Sequence, residues 1–156
     1  MSFWQKLLGS DQPQHKDPGL LLPELLKNYR AEKQLQKQIL AHADISPNPS
    51  SIEQLRTAAK EQEKIAERLE HKISDLGGTC EEEKSVHKPG HNHWARVVSD
   101  LEASQRLTQR YNEQAIYWDP DIPEASMFFL SLERDKHVLN AFLRDIALRA
   151  DPHASN

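Results

Sequence analysis

Apolar residues return at helical spacing through four stretches of this chain, separated by segments rich in proline, glycine and small polar residues. In the first, residues 20–43, Leu22, Leu25, Leu26, Tyr29, Leu35, Ile39 and Ala43 recur every three or four positions and predict one helix face. Pro23 is tolerated in its first turn, where the missing N–H has no intrahelical partner. Ser46-Pro47-Asn48-Pro49-Ser50 stops this helix. Ser50 or Ser51 is expected to cap the next one, with Glu53 or Gln54 near the reciprocal capping position. The second stripe, Ile52, Leu55, Ala58/Ala59, Gln62, Ile65, Leu69, Ile73 and Leu76, runs into Gly77-Gly78, a helix-ending pair.

The third stretch runs from His93 to Trp118 and points Trp94, Val97, Val98, Leu101, Thr108, Tyr111 and Ala115 inward. Asp119-Pro120-Asp121-Ile122-Pro123 breaks it. The fourth starts at Pro123 or Glu124 and ends near Ala150. Its expected apolar face is Met127, Phe128, Leu132, Val138, Leu139, Phe142, Leu143 and Ile146.

Short loops make the helices of each pair antiparallel, and the longer connection at 79–92 joins two helical hairpins. The predicted fold is therefore all-α, an antiparallel four-helix bundle over residues 20–150. An amphipathic turn (Phe3, Trp4, Leu7, Leu8) and a polar linker fill 1–19, and a frayed tail fills 151–156.

Composition narrows the picture. With 156 residues the chain can bury a core without staples. The net charge of −4 is mixed along the chain, and the lack of a basic face argues against nucleic acid. Cys80 is the single cysteine, so no internal disulfide forms and a reducing compartment is expected. The sequence shows no apolar run long enough to span a bilayer and no secretory leader, so the expected location is the cytoplasm. Phe3 and Trp4 offer at most a weak peripheral membrane contact.

Three stretches carry a family resemblance: Ala31-Glu32-Lys33-Gln34, Glu61 through Leu69 followed by Ile73 through Gly78, and Leu132 through Leu139. On these the chain resembles the ferritin-like superfamily of ferritins, bacterioferritins and rubrerythrins, over roughly residues 20–148. The resemblance implies a di-iron centre, held by one glutamate and one Glu-x-x-His pair from each hairpin. The sequence departs from that pattern, because it contains no Glu-x-x-His. Glu32 fills its ligand position in every alignment. The second helix supplies Gln62 with Ile65, or Glu61 with Lys64. The third supplies Gln105 or Glu102, and the fourth supplies Asp135 with Val138, or Arg134 with His137. Glu32, Gln62, Glu102, Asp135 and His137 are thus the remnants of a metal site, and the expectation is a bundle without a complete di-iron centre. An inward Glu32 needs a partner, for which Gln62, Gln105 and Arg134 are candidates, unless it lies at a wet end of the bundle.

Cys80, His87, His91 and His93 form a second candidate cluster, with ligand types that suit zinc. Glu67/His71 and Glu133/His137 stand at i, i+4 spacing and read as surface ion pairs. The expected function is that of a non-enzymatic bundle acting by self-association, as a dimer, or by binding a protein partner. Two alternatives stand beside it. One is a di-iron storage or oxidoreductase protein with an altered ligand set. The other is a helical adaptor unrelated to ferritins, docking through Phe3 and Trp4.

Overall fold

A computed structural model describes residues 16–81, 84 and 90–153. The expected turn of Phe3 and Trp4 and the tail beyond residue 153 lie outside the described residues. A short 3-10 turn, Pro18–Leu20, opens the fold, capped by the Asp17 carboxylate on the Gly19 N–H at 2.9 Å. Four helices follow: α1 (Leu21–Asp44), α2 (Pro49–Asp75), α3 (His93–Trp118) and α4 (Pro123–Ala150). No strand occurs among the described residues.

The helix ends follow local chemistry. Asn48, rather than Ser50 or Ser51, caps α2, because its Oδ1 accepts the Ser51 N–H at 2.9 Å and Pro49 occupies the first helical position. Asn92 caps α3 in the same way through Ala95. At the end of α2, Gly77 takes φ +80°, and Gly78 N–H bonds back to the Ile73 carbonyl at 2.9 Å. Gly78 also sits against Leu22, where a side chain would collide.

α1 lies beside α2 and α3, and α4 lies beside the same two, so α1–α4 and α2–α3 are the diagonals. Contacts along α1 and α3 run in opposite order: Glu24 with Trp118, Asn28 with Gln114, Glu32 with Tyr111, His42 with Asp100. Along α3 and α4 they also run in opposite order, from Ala115–Ser126 to Thr108–Asn140. The connection between α2 and α3 leaves beside Leu22 and arrives where His93 senses His42. Those two α1 positions are about 30 Å apart at helical rise, so the end of α2 and the start of α3 lie far apart along the bundle.

The core holds Leu25, Ile39, Leu55, Leu69, Ile73, Val97, Phe129, Leu132 and Leu143, all fully or almost fully buried. The fourth helix corrects one expectation. Met127 and Val138 are 70% and 71% exposed, and the inner row is Phe129, Leu132, Lys136, Leu139, Leu143 and Ile146. Leu132, Leu139, Leu143 and Ile146 are buried as expected and Phe128 and Phe142 pack against the core, so the expected face is the true one widened by Met127 and Val138, and a lysine stands in its inner row. Trp94 is likewise exposed, at the first turn of α3.

Candidate functional site: a buried charge quartet

At mid-bundle each helix contributes one polar side chain to a dry cluster: Glu32 from α1, Gln62 from α2, Tyr111 from α3 and Lys136 from α4. All four are fully buried. Glu32 sits among apolar residues of α1 because the three- and four-residue spacing from Leu25, Asn28 and Tyr29 to Leu35 and Ile39 turns it inward. Lys136 holds the matching place on α4, one turn from Leu132 and Leu139. Its long stem carries the ammonium across the diagonal to α1. Lys136 Nζ lies 3.2 Å from Glu32 Oε2 and 3.0 Å from Gln62 Oε1.

Every oxygen of Glu32 is used. Tyr111 donates its hydroxyl to Oε1 at 2.6 Å. Gln62 donates its amide to Oε2 and to the Glu32 backbone carbonyl, the latter at 3.2 Å. A buried carboxylate without such partners would be driven to neutralise. Here charge neutrality comes from a cation that belongs to the chain. Burial pushes the Lys136 ammonium below its ordinary range, while the attraction of Glu32 pulls it back. Burial also pushes the Tyr111 phenol well above its ordinary value of 10, and the Glu32 charge adds to that push. Tyr111 therefore serves as a hydrogen-bond donor.

A second buried pair lies toward the other end of α1. His42 Nδ1 is 2.8 Å from Asp100 Oδ2, both side chains are fully enclosed, and Gln38 donates to Asp100 Oδ1 at 2.7 Å. His93, beside this pair, is half-buried. Burial first, and then the Arg96 charge, hold its imidazole below the ordinary value of 6.5.

The metal remnants expected from the sequence divide. Glu32 and Gln62 meet as their positions imply. Glu102 and Gln105 are exposed on α3, and Arg134 is exposed on α4. Asp135 pairs with Arg68 at the surface, and His137 with Glu133 at 3.2 Å. The countercharge of Glu32 is therefore Lys136, not Arg134. The Glu67/His71 pair is exposed on α2.

The Cys80–His93 cluster is not assembled either. Cys80 follows Gly78 at the Leu22 end, and His93 lies at the His42 end. A span of about 30 Å exceeds any coordination sphere. His91 is exposed, and His87 lies outside the described residues. Cys80 packs half-buried against the core, which raises its thiol. Among the described residues no three His, Cys, Asp or Glu side chains group closely enough to hold a metal ion. None of the described helices is long and apolar enough to cross a membrane.

Sequence reasoning missed Lys136, His42 and Asp100. Lysine and aspartate read as surface residues, although Lys136 falls at core spacing between Leu132 and Leu139, and Asp100 between Val97 and Ser104. Comparison of the chain with protein-family models, with curated proteins and with solved structures finds no match in any of the three.

Proposed function

We propose that this chain is a non-enzymatic, antiparallel four-helix bundle of ferritin-like connectivity that carries its own cation at mid-bundle and acts as a scaffold through self-association. One observation carries this reading: the Lys136 ammonium lies against Glu32 and Gln62, the two residues that the resemblance would assign to a metal site. Opposite contact order along α1–α3 and α3–α4, and the distance between the end of α2 and the start of α3, support the connectivity. The di-iron pattern implied by the resemblance asks for Glu-x-x-His on α4; three residues after Glu133, Lys136 stands in the place of the histidine.

This interior does not fit a di-iron centre. The mid-bundle quartet offers one carboxylate, one amide, one phenol and an ammonium, where two irons need several carboxylates and two imidazoles. An ammonium donates hydrogen bonds and repels a metal cation, so Lys136 acts against the altered-ligand alternative as well. Dimerisation, use of the surface and a cytoplasmic setting belong to the same proposal.

Elemental analysis of protein produced with added iron and zinc, combined with an oxygen-dependent absorption spectrum, tests the reading. Substoichiometric metal and a featureless visible spectrum are expected. A stoichiometric pair of irons, with a charge-transfer band after exposure to oxygen, would overturn it.

A further inference from the structure

The four helices differ in what they present to solvent. Along α2 no large apolar side chain is exposed, whereas α4 exposes Met127, Leu130, Val138 and Leu148. Met127, Arg134, Ala141 and Leu148 repeat every seven residues and share one row, with Val138 and Asp145 in the row beside it. This face points away from the core row of Leu132, Lys136 and Leu143. Single exposed apolar residues are ordinary on any surface. An apolar row along a whole helix, with Arg134, His137, Asp145 and Arg149 spaced along it, marks an interface.

We infer that the outer face of α4, with the groove beside it, is the surface on which two copies of this chain pair around a two-fold axis. This rests on the self-associating reading above and gives it a place on the molecule. The pattern is self-complementary. When two α4 helices lie antiparallel with the axis between residues 137 and 138, Met127 faces the partner's Leu148 and Arg134 faces the partner's Ala141. The two Val138 side chains meet at the axis. Asp145, which pairs with Arg149 of its own helix at 3.0 Å, then lies opposite the partner's Leu130 and within a turn of the partner's Arg134, so each carboxylate gains a second cation nearby. Arg134 and Asp145 are both exposed in the single chain.

The neighbouring α2–α4 groove, about 450 Å³, supplies depth. Ile65, Leu139 and Phe142 form its apolar base, and Lys64, Arg68 and Asp135 its charged rim. The size is adequate too. α4 has 28 residues, about 42 Å at helical rise, and a strip about 20 Å wide across α4 and the groove offers about 800 Å². A stable interface of standard size buries about that much per partner.

Sedimentation velocity of the full chain across a concentration series tests this, with Val138→Lys, Arg134→Asp and the exchange Arg134→Asp/Asp145→Arg. The wild type is expected to sediment as a dimer. Val138→Lys is expected to weaken dimerisation at least about tenfold, because it leaves two like charges at the axis, with unchanged helical content by circular dichroism. Arg134→Asp is expected to weaken dimerisation, and the exchange to restore it. In a Cys80→Ser background, Val138→Cys is expected to form a disulfide-linked dimer under mild oxidation, and Glu63→Cys on the outer side of α2 is not. A dimer untouched by Val138→Lys overturns the α4 face but leaves the self-associating bundle standing. A monomer at every concentration overturns both, and neither result bears on the Lys136 centre, which metal analysis tests separately.

Discussion

The two buried polar pairs solve one problem in different ways. At mid-bundle, Glu32 is matched by a lysine and held by two further donors, Gln62 and Tyr111, so that all four helices are tied at one level. Near the end of α1, Asp100 is matched by the His42 imidazole and held by Gln38, so that α1 and α3 are tied. The first pair needs reach, because α1 and α4 are diagonal and only a side chain as long as lysine spans them. The second needs none, because α1 and α3 are neighbours. The contrast teaches that the centre fixes the register of the whole bundle, while the end pair fixes one seam. Apolar side chains slide past one another at small cost, whereas a buried carboxylate without its partners does not.

Substitutions can break that contrast. Lys136→Met should be the most damaging single change, because it keeps side-chain volume but strands Glu32. Chemical denaturation should show a loss of about 3–5 kcal/mol, the usual cost of removing one member of a buried pair. Asp100→Ala should cost less, about 1–3 kcal/mol, because it strands only hydrogen-bond donors. A loss equal to that of Lys136→Met would erase the distinction between centre and end. Tyr111→Phe should cost about 1–2 kcal/mol for one donor to a charged acceptor.

The smallest effects are in pH dependence. Tyr111 keeps its proton in the folded state well above pH 10, while the unfolded chain loses it there. Its stabilisation is present below pH 10 and is lost as pH rises above it. Lys136, lowered by burial, gives an opposite and lesser slope in the same alkaline range. Thermal melts should therefore show wild type losing stability above pH 10 and Tyr111→Phe losing less. On the acid side, His93 resists protonation in the fold. The unfolded chain binds that proton below about pH 6.5, so stability should fall as pH drops through that value, and His93→Asn should flatten the fall.

Much of the fold was legible in the sequence and half of the site was. The four helices lie within a residue or two of their predicted bounds, because proline, asparagine and glycine punctuate them sharply at 46–50, 77–78 and 119–123. Glu32 and Gln62 stood out as polar residues inside otherwise apolar stripes. Lys136 did not, because lysine reads as a surface residue, and because Met127 and Val138 are stronger apolar signals than Ala147 or Asn140 and widen the stripe of α4 toward its outer face. If α4 is an interface helix, it carries two apolar rows, and a single-stripe reading has to choose between them. Tyr111 was legible as a core residue, but its hydroxyl contact depends on the level at which α1 and α3 meet, which local pattern does not encode. The separation of Cys80 from His93 is likewise a property of the path of the connection and not of their spacing in sequence.

The measurement that bears most directly on the self-neutralised centre is a double-mutant cycle on Glu32 and Lys136. Unfolding free energies are compared for wild type, Glu32→Gln, Lys136→Met and the double variant. If the lysine exists to match the carboxylate, each single change is costly and the double variant regains most of the loss, a coupling of about 2–3 kcal/mol. Single losses that simply add, with coupling under about 0.5 kcal/mol, would show that Lys136 is not the counter-ion of Glu32 and would contradict the account.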